Sequence, residues 1–104
     1  MITVLVQFQL PHPATREKAR DIFLSTAPKY RETPGLIRKN YLLSQDGKTA
    51  GGAYLWKSRE AADRLYTDDW KKFVEGKYGK PPQIEYLHSP VMVDNRDGSI
   101  KVAA

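Results

Sequence analysis

The chain of 104 residues has no cysteine and only two histidines, His12 and His88. Without cysteine there is no disulfide framework, no thiolate nucleophile and no thiolate metal ligand, a composition that suits the cytoplasm. No carboxylate recurs with either histidine at a ligand spacing such as the i, i+4 pair of a zinc-binding helix. We therefore predict a protein without a metal site.

Several common sequence motifs are also missing. There is no GxSxG turn, no P-loop and no GxGxxG, and the pair Gly51-Gly52 alone is not specific for phosphate. Hydride-transfer and phosphoryl-transfer enzymes are therefore disfavoured. The apolar residues 1–10 have no basic region or cleavage site before or after them and are too few to span a membrane, so we predict a first strand and no membrane partner.

Positive charge is only moderately in excess, with a formal net charge of +5. Glu17, Asp21 and Glu32 are interleaved with the basic residues of the first predicted helix. Mixed charge of this kind is typical of a solvated helix face rather than of a phosphate-binding stripe. We predict no nucleic-acid partner.

What the sequence does contain is a regular succession of strand and helix patterns. Apolar side chains alternate from Ile2 to Leu10, which predicts a strand. Thr15 is a suitable N-cap for a helix, and the apolar positions after it follow steps of three and four. Pro28 lies inside this helical pattern, so we expect a kink or an early end near Thr26.

A β-hairpin is predicted in the middle of the chain. Two strand-like runs, residues 36–43 and 50–56, flank Asp46-Gly47, which is a strong turn signal. Ser58 then caps a second helix whose apolar stripe extends to Phe73. A strand follows from residue 83 to about 89, Pro90 interrupts it, and a weaker terminal hairpin covers residues 91–102.

The predicted order is therefore βαββαβ followed by an arm, the pattern of an α+β, ferredoxin-like fold. We expect a single domain over residues 1–104, with one antiparallel sheet, two helices on one of its faces and a C-terminal arm at about 91–104. The uncovered face would expose a set of apolar side chains: Leu5, Tyr41, Leu43, Leu55 and Leu87. Because soluble monomers seldom expose a large apolar patch, we expect a homodimer with its sheets face to face and the arm clasping the partner.

Aromatic residues are dense for so small a chain. Tyrosine and tryptophan occur at eight positions along the predicted elements: Tyr30, Tyr41, Tyr54, Trp56, Tyr66, Trp70, Tyr78 and Tyr86. These rings fit either a cavity for a flat phenolic or quinone-like molecule or an ordinary aromatic core. Gly51-Gly52 fits either a pocket floor or a bulged strand. His88, in phase with Tyr86, fits either a base in the core or a hydrogen-bonded structural residue.

Several segments together resemble a known family. They are the run GGAYLWKSREAA at residues 51–62, Trp70, Tyr78-Gly79, ETPG at residues 32–35 and PVMVDN at residues 90–95. Over nearly the whole chain these residues resemble the YdhR-type monooxygenases of the dimeric α+β barrel superfamily, which are related to antibiotic-biosynthesis monooxygenases. The resemblance implies a homodimer with a cavity between each sheet and its helices. It also implies cofactor-independent oxygenation of a small aromatic phenol, hydroquinone or anthrone.

Positions in the predicted fold then indicate the residues of such a cavity. Asn40 and Tyr54 are expected to hold the substrate oxygens by hydrogen bonds, and His88 to act as the base. The expected substrate-binding residues are all aromatic: Trp56, Trp70, Tyr66 and Tyr30.

Other functions remain as alternatives. Haem-degrading relatives bind iron through a histidine on or after the second helix, where this chain has none. RNA-binding domains with the same βαββαβ order display stacking rings on the third strand, and here small residues replace both key rings. A non-catalytic dimer that binds or senses a ligand would carry the same aromatic residues, so the sequence does not distinguish it from an enzyme.

Overall fold

The secondary-structure elements follow the predicted order, with one addition in the second helix. The structure is a computed structural model and describes residues 1–103. Its elements are β1 (Ile2–Gln9), α1 (Arg16–Arg31), β2 (Leu36–Leu43), β3 (Thr49–Trp56), α2 (Arg59–Leu65), α3 (Asp68–Tyr78), β4 (Gln83–His88), β5 (Val91–Asp94) and β6 (Ser99–Val102).

One antiparallel sheet with the strand order β2-β3-β1-β4 forms the centre of the fold. The helices cover one of its faces, and the core lies between β1, β3 and α2. Val4, Trp56 and Ala62 are completely buried there. The predicted α+β, ferredoxin-like fold is therefore confirmed.

The predicted helix starts are also confirmed. The Thr15 hydroxyl accepts a hydrogen bond from the Lys18 backbone N–H at 3.2 Å, and the Ser58 hydroxyl accepts one from Ala61 at 3.1 Å. Each bond satisfies one of the donors that a helix leaves free in its first turn.

Of the kink or early end expected near Thr26, the early end is wrong. Helix α1 continues through Pro28 to Arg31. Proline removes one backbone donor, but the last turn also carries Tyr30, whose ring packs edge-on against Tyr54 at 6.0 Å and Tyr41 at 6.4 Å. Tertiary packing of this kind outweighs the local cost of the missing hydrogen bond.

The second predicted helix is divided in two. Helix α2 ends at Leu65, and Thr67 caps α3 by accepting a hydrogen bond from the Trp70 backbone N–H at 3.2 Å. Asp68 and Asp69 stand in the first turn of α3, where negative charge stabilises a helix. Phe73 on α3 is 61% exposed.

A β-bulge in β2 sets the direction of its side chains. Leu36 lies opposite Trp56 and Arg38 lies opposite Leu55, so Ile37 is an extra residue. Beyond the bulge Lys39 and Tyr41 lie opposite Tyr54 and Gly52 on the helix side of the sheet.

The predicted uncovered face needs correction for this reason. Tyr41 and Leu43 lie under α1, with Ala19 and Phe23 beside them, because one extra residue exchanges the two faces of a strand. The other three predicted residues, Leu5, Leu55 and Leu87, lie on the face away from the helices, but only Leu87 is exposed there, since Leu55 is buried and Leu5 is half-buried.

The C-terminal arm is a β5–β6 hairpin, as predicted. It begins where the Ser89 backbone N–H donates to the Met1 carbonyl at 3.0 Å. With Leu42 and Leu55 of the sheet, β5 encloses an open groove of about 600 Å³ on the outer face. No helix among residues 1–103 is long and apolar enough to cross a membrane.

Candidate functional site

A cavity of about 70 Å³ lies on the helix side of the sheet, between β1, β2, β3, α1 and α3. Aromatic rings and lysine side chains form most of its wall. The lining residues are Val6, Phe8, Ile22, Phe23, Thr26, Lys29, Tyr30, Lys39, Tyr41, Gly51, Gly52, Tyr54, Trp70, Phe73, Val74, Lys77 and Tyr78.

Three tyrosines form an aromatic cage at one end of the cavity: Tyr30 from α1, Tyr41 from β2 and Tyr54 from β3. Tyr41 is held in place by a stacked Phe23 ring at 4.7 Å and by the Thr26 hydroxyl at 2.7 Å. Because that hydroxyl donates to the Phe23 carbonyl at 3.1 Å, it accepts from Tyr41. Burial raises the pKa of Tyr41 and Tyr54, so both remain protonated phenols at neutral pH.

Lys39 extends from β2 into this aromatic cage. Its Nζ lies 3.6 Å from the ring centroid of Tyr30, 3.9 Å from that of Tyr41 and 4.5 Å from that of Tyr54. Burial, followed by the nearby positive charge of Lys29, lowers the pKa of Lys39 from 10.5 to about 7. At neutral pH a substantial fraction of Lys39 is therefore an uncharged amine, which can accept a proton.

The mouth of the cavity lies between α1 and α3 and is formed by Ile22, Lys29, Phe73 and Lys77. All four side chains are exposed, and Lys29 Nζ reaches to 5.9 Å from the Phe73 ring centroid across the mouth. None of the lining residues in the described part of the chain is acidic. The cavity and its mouth therefore favour a ligand that is, or becomes, an anion.

Glycines form the floor of the cavity, as the pocket-floor interpretation predicts. A Cβ atom at Gly52 would lie 3.0 Å from Tyr54 Cε1 and 3.1 Å from Lys39 Cε. One at Gly51 would lie 1.8 Å from the Val6 carbonyl oxygen, closer than any side chain allows. Gly52 thus leaves room for the lysine and the ring, and Gly51 allows β1 and β3 to approach.

Two predicted binding residues lie in the core behind the cavity instead of along it. Trp56 is completely buried and its Nε1 donates to the Tyr66 hydroxyl at 3.1 Å. Tyr66 packs edge-on against Tyr54 at 5.4 Å and against Trp70 at 5.1 Å. Trp56 and Tyr66 therefore support the wall that Tyr54 and Trp70 present to the cavity.

The structure brings Tyr30, Tyr54 and Trp70 together on the cavity wall and places Asn40 and His88 elsewhere. Asn40 faces the groove on the outer face, because the β2 bulge reverses its direction. His88 lies opposite Ile2 at the end of β4 and is in phase with Tyr86, but it is exposed and outside the cavity lining. The expectation that His88 points into the core is therefore wrong, since β4 is an edge strand and ends there.

Sequence reasoning missed Lys39 as a cavity residue, and it named Tyr41 and Tyr78 among the candidate aromatic residues without choosing them for the site. Lys39 stands between Arg38 and Asn40, so it looks like part of a solvated strand face. The available signal was its spacing of two from Tyr41, which puts both side chains on one face of β2. Tyr78 ends α3 and stacks on Phe8 at 4.1 Å.

No group of three or more histidine, cysteine, aspartate or glutamate side chains gathers within residues 1–103. The groups that the cavity offers are phenolic donors, the half-buried amine of Lys39, the exposed amines of Lys29 and Lys77, and aromatic faces. Such groups can stack on a flat ring, hydrogen-bond its oxygens and move a proton.

Comparison with known proteins agrees with this class of fold. The family described as "Putative mono-oxygenase ydhR" matches residues 4–77. The chain therefore belongs to the ydhR family of mono-oxygenases, and the predicted family is confirmed. A search of the curated proteins gives no match.

Solved structures with the same fold include three bacterial proteins. A monooxygenase from the gene ActVA-Orf6 of Streptomyces coelicolor, in complex with nanaomycin D, has a TM-score of 0.63 and 21% identity, covering 85% of this chain and 86% of its own. SnoaB, a cofactor-independent oxygenase from Streptomyces nogalater, has a TM-score of 0.60 and 15% identity, with coverages of 85% and 91%. Rv0793 from Mycobacterium tuberculosis has a TM-score of 0.58 and 17% identity, with coverages of 85% and 93%. At these identities the likeness establishes the fold alone.

Proposed function

We propose that the protein is a cofactor-independent monooxygenase that oxidises a small phenol, hydroquinone or anthrone in the cavity between the sheet, α1 and α3. The observation that carries the proposal is the wall of that cavity, where tyrosine rings surround a half-buried amine in a chain of a mono-oxygenase family. Flat aromatic ligands are recognised by such rings, and a phenol needs a group to take its proton.

The reaction balances without an added reductant. Oxygen accepts electrons from the ionised aromatic ring and its O–O bond breaks. One oxygen atom forms a new carbon–oxygen bond at a ring carbon that loses its hydrogen, and the other leaves as water with two hydrogens of the substrate. For a phenol the product is a quinone, so the substrate supplies all the electrons. The protein contributes a dry site, an orientation for the ring and a path for the proton.

Tyr54 and Trp70 are the proposed contacts with the substrate ring, and Tyr30 closes the site from α1. The raised pKa of Tyr54 keeps its hydroxyl protonated, so it can donate a hydrogen bond to a substrate oxygen but cannot act as the base. Trp56 and Tyr66 act behind them by fixing the orientation of these rings.

In this proposal the substrate ring enters the cavity through its mouth between α1 and α3. A cavity of about 70 Å³ is smaller than the engineered cavities of about 150 Å³ that bind benzene. Lys29 and Phe73 are exposed side chains at the mouth, and outward rotation of both would enlarge it at little cost in packing. The proposal therefore includes movement of these two side chains on binding.

A homodimer with its sheets face to face belongs to the same proposal, and so does a cytoplasmic location. The arm supports the dimer, because Val91, Val93, Ile100 and Val102 are between 56% and 75% exposed on it. A partner sheet would cover them together with Leu42 and Leu87. Sedimentation at micromolar concentration is expected to show twice the chain mass of 11.9 kDa, and a single species of 11.9 kDa would contradict the dimer.

Oxygen uptake tests the catalytic proposal. We expect consumption with at least one member of a panel of anthrones and hydroquinones, and a large decrease in Trp70→Ala. In Tyr54→Phe, loss of one hydrogen bond to the developing charge is expected to slow the reaction by about tenfold or more. Uptake that is unchanged in both variants would place the chemistry elsewhere. Binding without uptake would favour a ligand-binding or sensing role.

A further inference from the structure

We propose that Lys39 is the catalytic base of this cavity, and that it takes the hydroxyl proton of a phenolic substrate and holds the resulting phenolate beside its ammonium group. This inference rests on the proposed function for its substrate class. It identifies the ligand more narrowly as a molecule with an ionisable hydroxyl on an aromatic ring.

The position of Lys39 supports this role. Its Nζ is within 4.5 Å of the ring centroids of Tyr30, Tyr41 and Tyr54. A phenolic oxygen that approaches the amine therefore has its own ring among these tyrosines. The ring faces carry negative charge density, so they also stabilise the ammonium that forms once the proton has moved.

The charge state of Lys39 is suited to accepting a proton. Burial and the positive charge of Lys29 give Lys39 a pKa of about 7, so slightly above neutrality most of the side chain is an uncharged amine. A base with a pKa close to the working pH is the most effective general base. An ordinary exposed lysine is almost fully protonated there and has no free electron pair.

The other ionisable groups around Nζ do not fill this role. Tyr41 on its own strand, Tyr54 on β3 and Tyr78 on α3 have raised pKa values because they are buried, so they are donors. Tyr30 lies on α1 against the amine. Lys29 on α1 and Lys77 on α3 are exposed at the mouth, where they attract an anion.

The proton transfer is balanced within the cavity. The O–H bond of the phenol breaks, its electron pair remains on the oxygen, and a new N–H bond forms at Lys39 Nζ. A neutral pair becomes a phenolate–ammonium pair, and no proton leaves the site. Because an ordinary phenol has a pKa about three units above that of Lys39, the transfer depends on the attraction between the two opposite charges at contact distance. The phenolate gives up electrons more readily than the neutral phenol, which prepares it to reduce oxygen.

Measuring proton release on ligand binding in the absence of oxygen tests this step directly. The probe is 2-naphthol, which is a neutral phenol in water at about pH 8 and changes its absorbance on ionisation. It is mixed anaerobically with the full-length protein in weak buffer containing a pH indicator. We expect the wild-type protein to bind it as the phenolate with no proton released to the solvent.

Two variants separate a base from a mere positive charge. Lys39→Met keeps the length of the side chain without a base, so bound naphthol is expected to stay neutral. Lys39→Arg keeps the charge but is already protonated, so any phenolate that it binds must release one proton to solvent for each ligand bound. Lys72→Met removes an exposed lysine of α3 outside the cavity lining and is the matched control, expected to behave as the wild type.

The outcomes distinguish this inference from the proposed function. Naphthol that stays neutral in the wild type, ionises equally in Lys39→Met or does not bind at all would overturn the role of Lys39. If naphthol ionises only in the presence of Lys39 but no panel compound consumes oxygen, the inference holds and the monooxygenase proposal fails. If oxygen is consumed, we expect Lys39→Met to slow it by about 100-fold or more, and an unchanged rate would overturn the role of Lys39.

Discussion

Lys39 Nζ lies 3.6 Å from the ring centroid of Tyr30, and this contact joins the second strand to the first helix across the cavity. Among the lysines that line the cavity in the described part of the chain, no other amine lies so close to a ring centroid, and Lys39 is half-buried there. Where the Lys39 amine contacts the Tyr30 ring, it is also partly shielded from water. Its charge is therefore balanced between burial, which disfavours the ammonium, and the ring, which favours it.

Lys39 makes the stability of the protein depend on pH in a defined direction. Its pKa is about 7 in the folded chain and about 10.5 when unfolded, so between these values the unfolded state binds more protons. Stability due to this group therefore rises with pH across that window and is lowest below it. We predict that Lys39→Met is more stable than the wild type at about pH 6, and that the difference shrinks towards about pH 10.

Urea denaturation at several pH values measures this difference. Lys72→Met is the control, since it removes an exposed lysine on α3. The prediction fails if the unfolding free energies of Lys39→Met and Lys72→Met differ from that of the wild type by the same amount at every pH.

Lys29 is predicted to set part of the pKa of Lys39. Its positive charge is the second cause of the lowered value, after burial. Lys29→Gln should therefore raise the pKa of Lys39, which can be followed by NMR titration of ¹³C-methylated lysines. Lys101→Gln, in the exposed arm, is expected to leave it unchanged. A lowered or unchanged value in Lys29→Gln would contradict a lowering of the Lys39 pKa by the charge of Lys29.

Gly52 is predicted to determine how much room the cavity has. The Cβ of Gly52→Ala would press on the Tyr54 ring and the Lys39 side chain at 3.0 and 3.1 Å. We expect affinity for 2-naphthol to fall by about tenfold, equivalent to about 1.4 kcal/mol, by equilibrium absorbance titration. Gly76→Ala on α3 has open space around its Cβ and should keep the wild-type affinity. Equal affinities in the two variants would contradict the prediction.

The hydrogen bond between Trp56 and Tyr66 is predicted to stabilise the core behind the cavity. Tyr66→Phe leaves the buried Trp56 Nε1 without its acceptor, which costs about 1–3 kcal/mol of unfolding free energy. Tyr78→Phe also removes one tyrosine hydroxyl but leaves the stacking on Phe8, so it should cost less. Urea denaturation measures both changes, and the opposite order would be evidence against a stabilising bond.

The sequence predicted the fold better than it predicted the site. Period-two alternation in β1, the Asp46-Gly47 turn and the Thr15 and Ser58 caps are local signals, and each predicted its element correctly. The bulge at Ile37 is different, because pairing with β3 produces it and no local pattern marks it. That one residue exchanges the faces of β2, so it moved Asn40 out of the predicted cavity and brought Lys39 and Tyr41 in.

The position of His88 failed for a similar reason. Its phase with Tyr86 was predicted correctly, but phase does not show whether another element covers the end of a strand. The break between α2 and α3 at Thr67 likewise depends on a cap that competes with a continuous apolar stripe. Helix α3, on the far side of that break, supplies Trp70, Val74 and Tyr78 to the cavity.

Oxygen incorporation tests the central claim most directly. The protein is incubated with ¹⁸O₂ and each member of the anthrone and hydroquinone panel, and the products are examined by mass spectrometry. We predict a product that carries one ¹⁸O atom, formed by the wild type and not by Lys39→Met or Trp70→Ala. A product without ¹⁸O, or equal labelling in all three proteins, would contradict monooxygenation in this cavity.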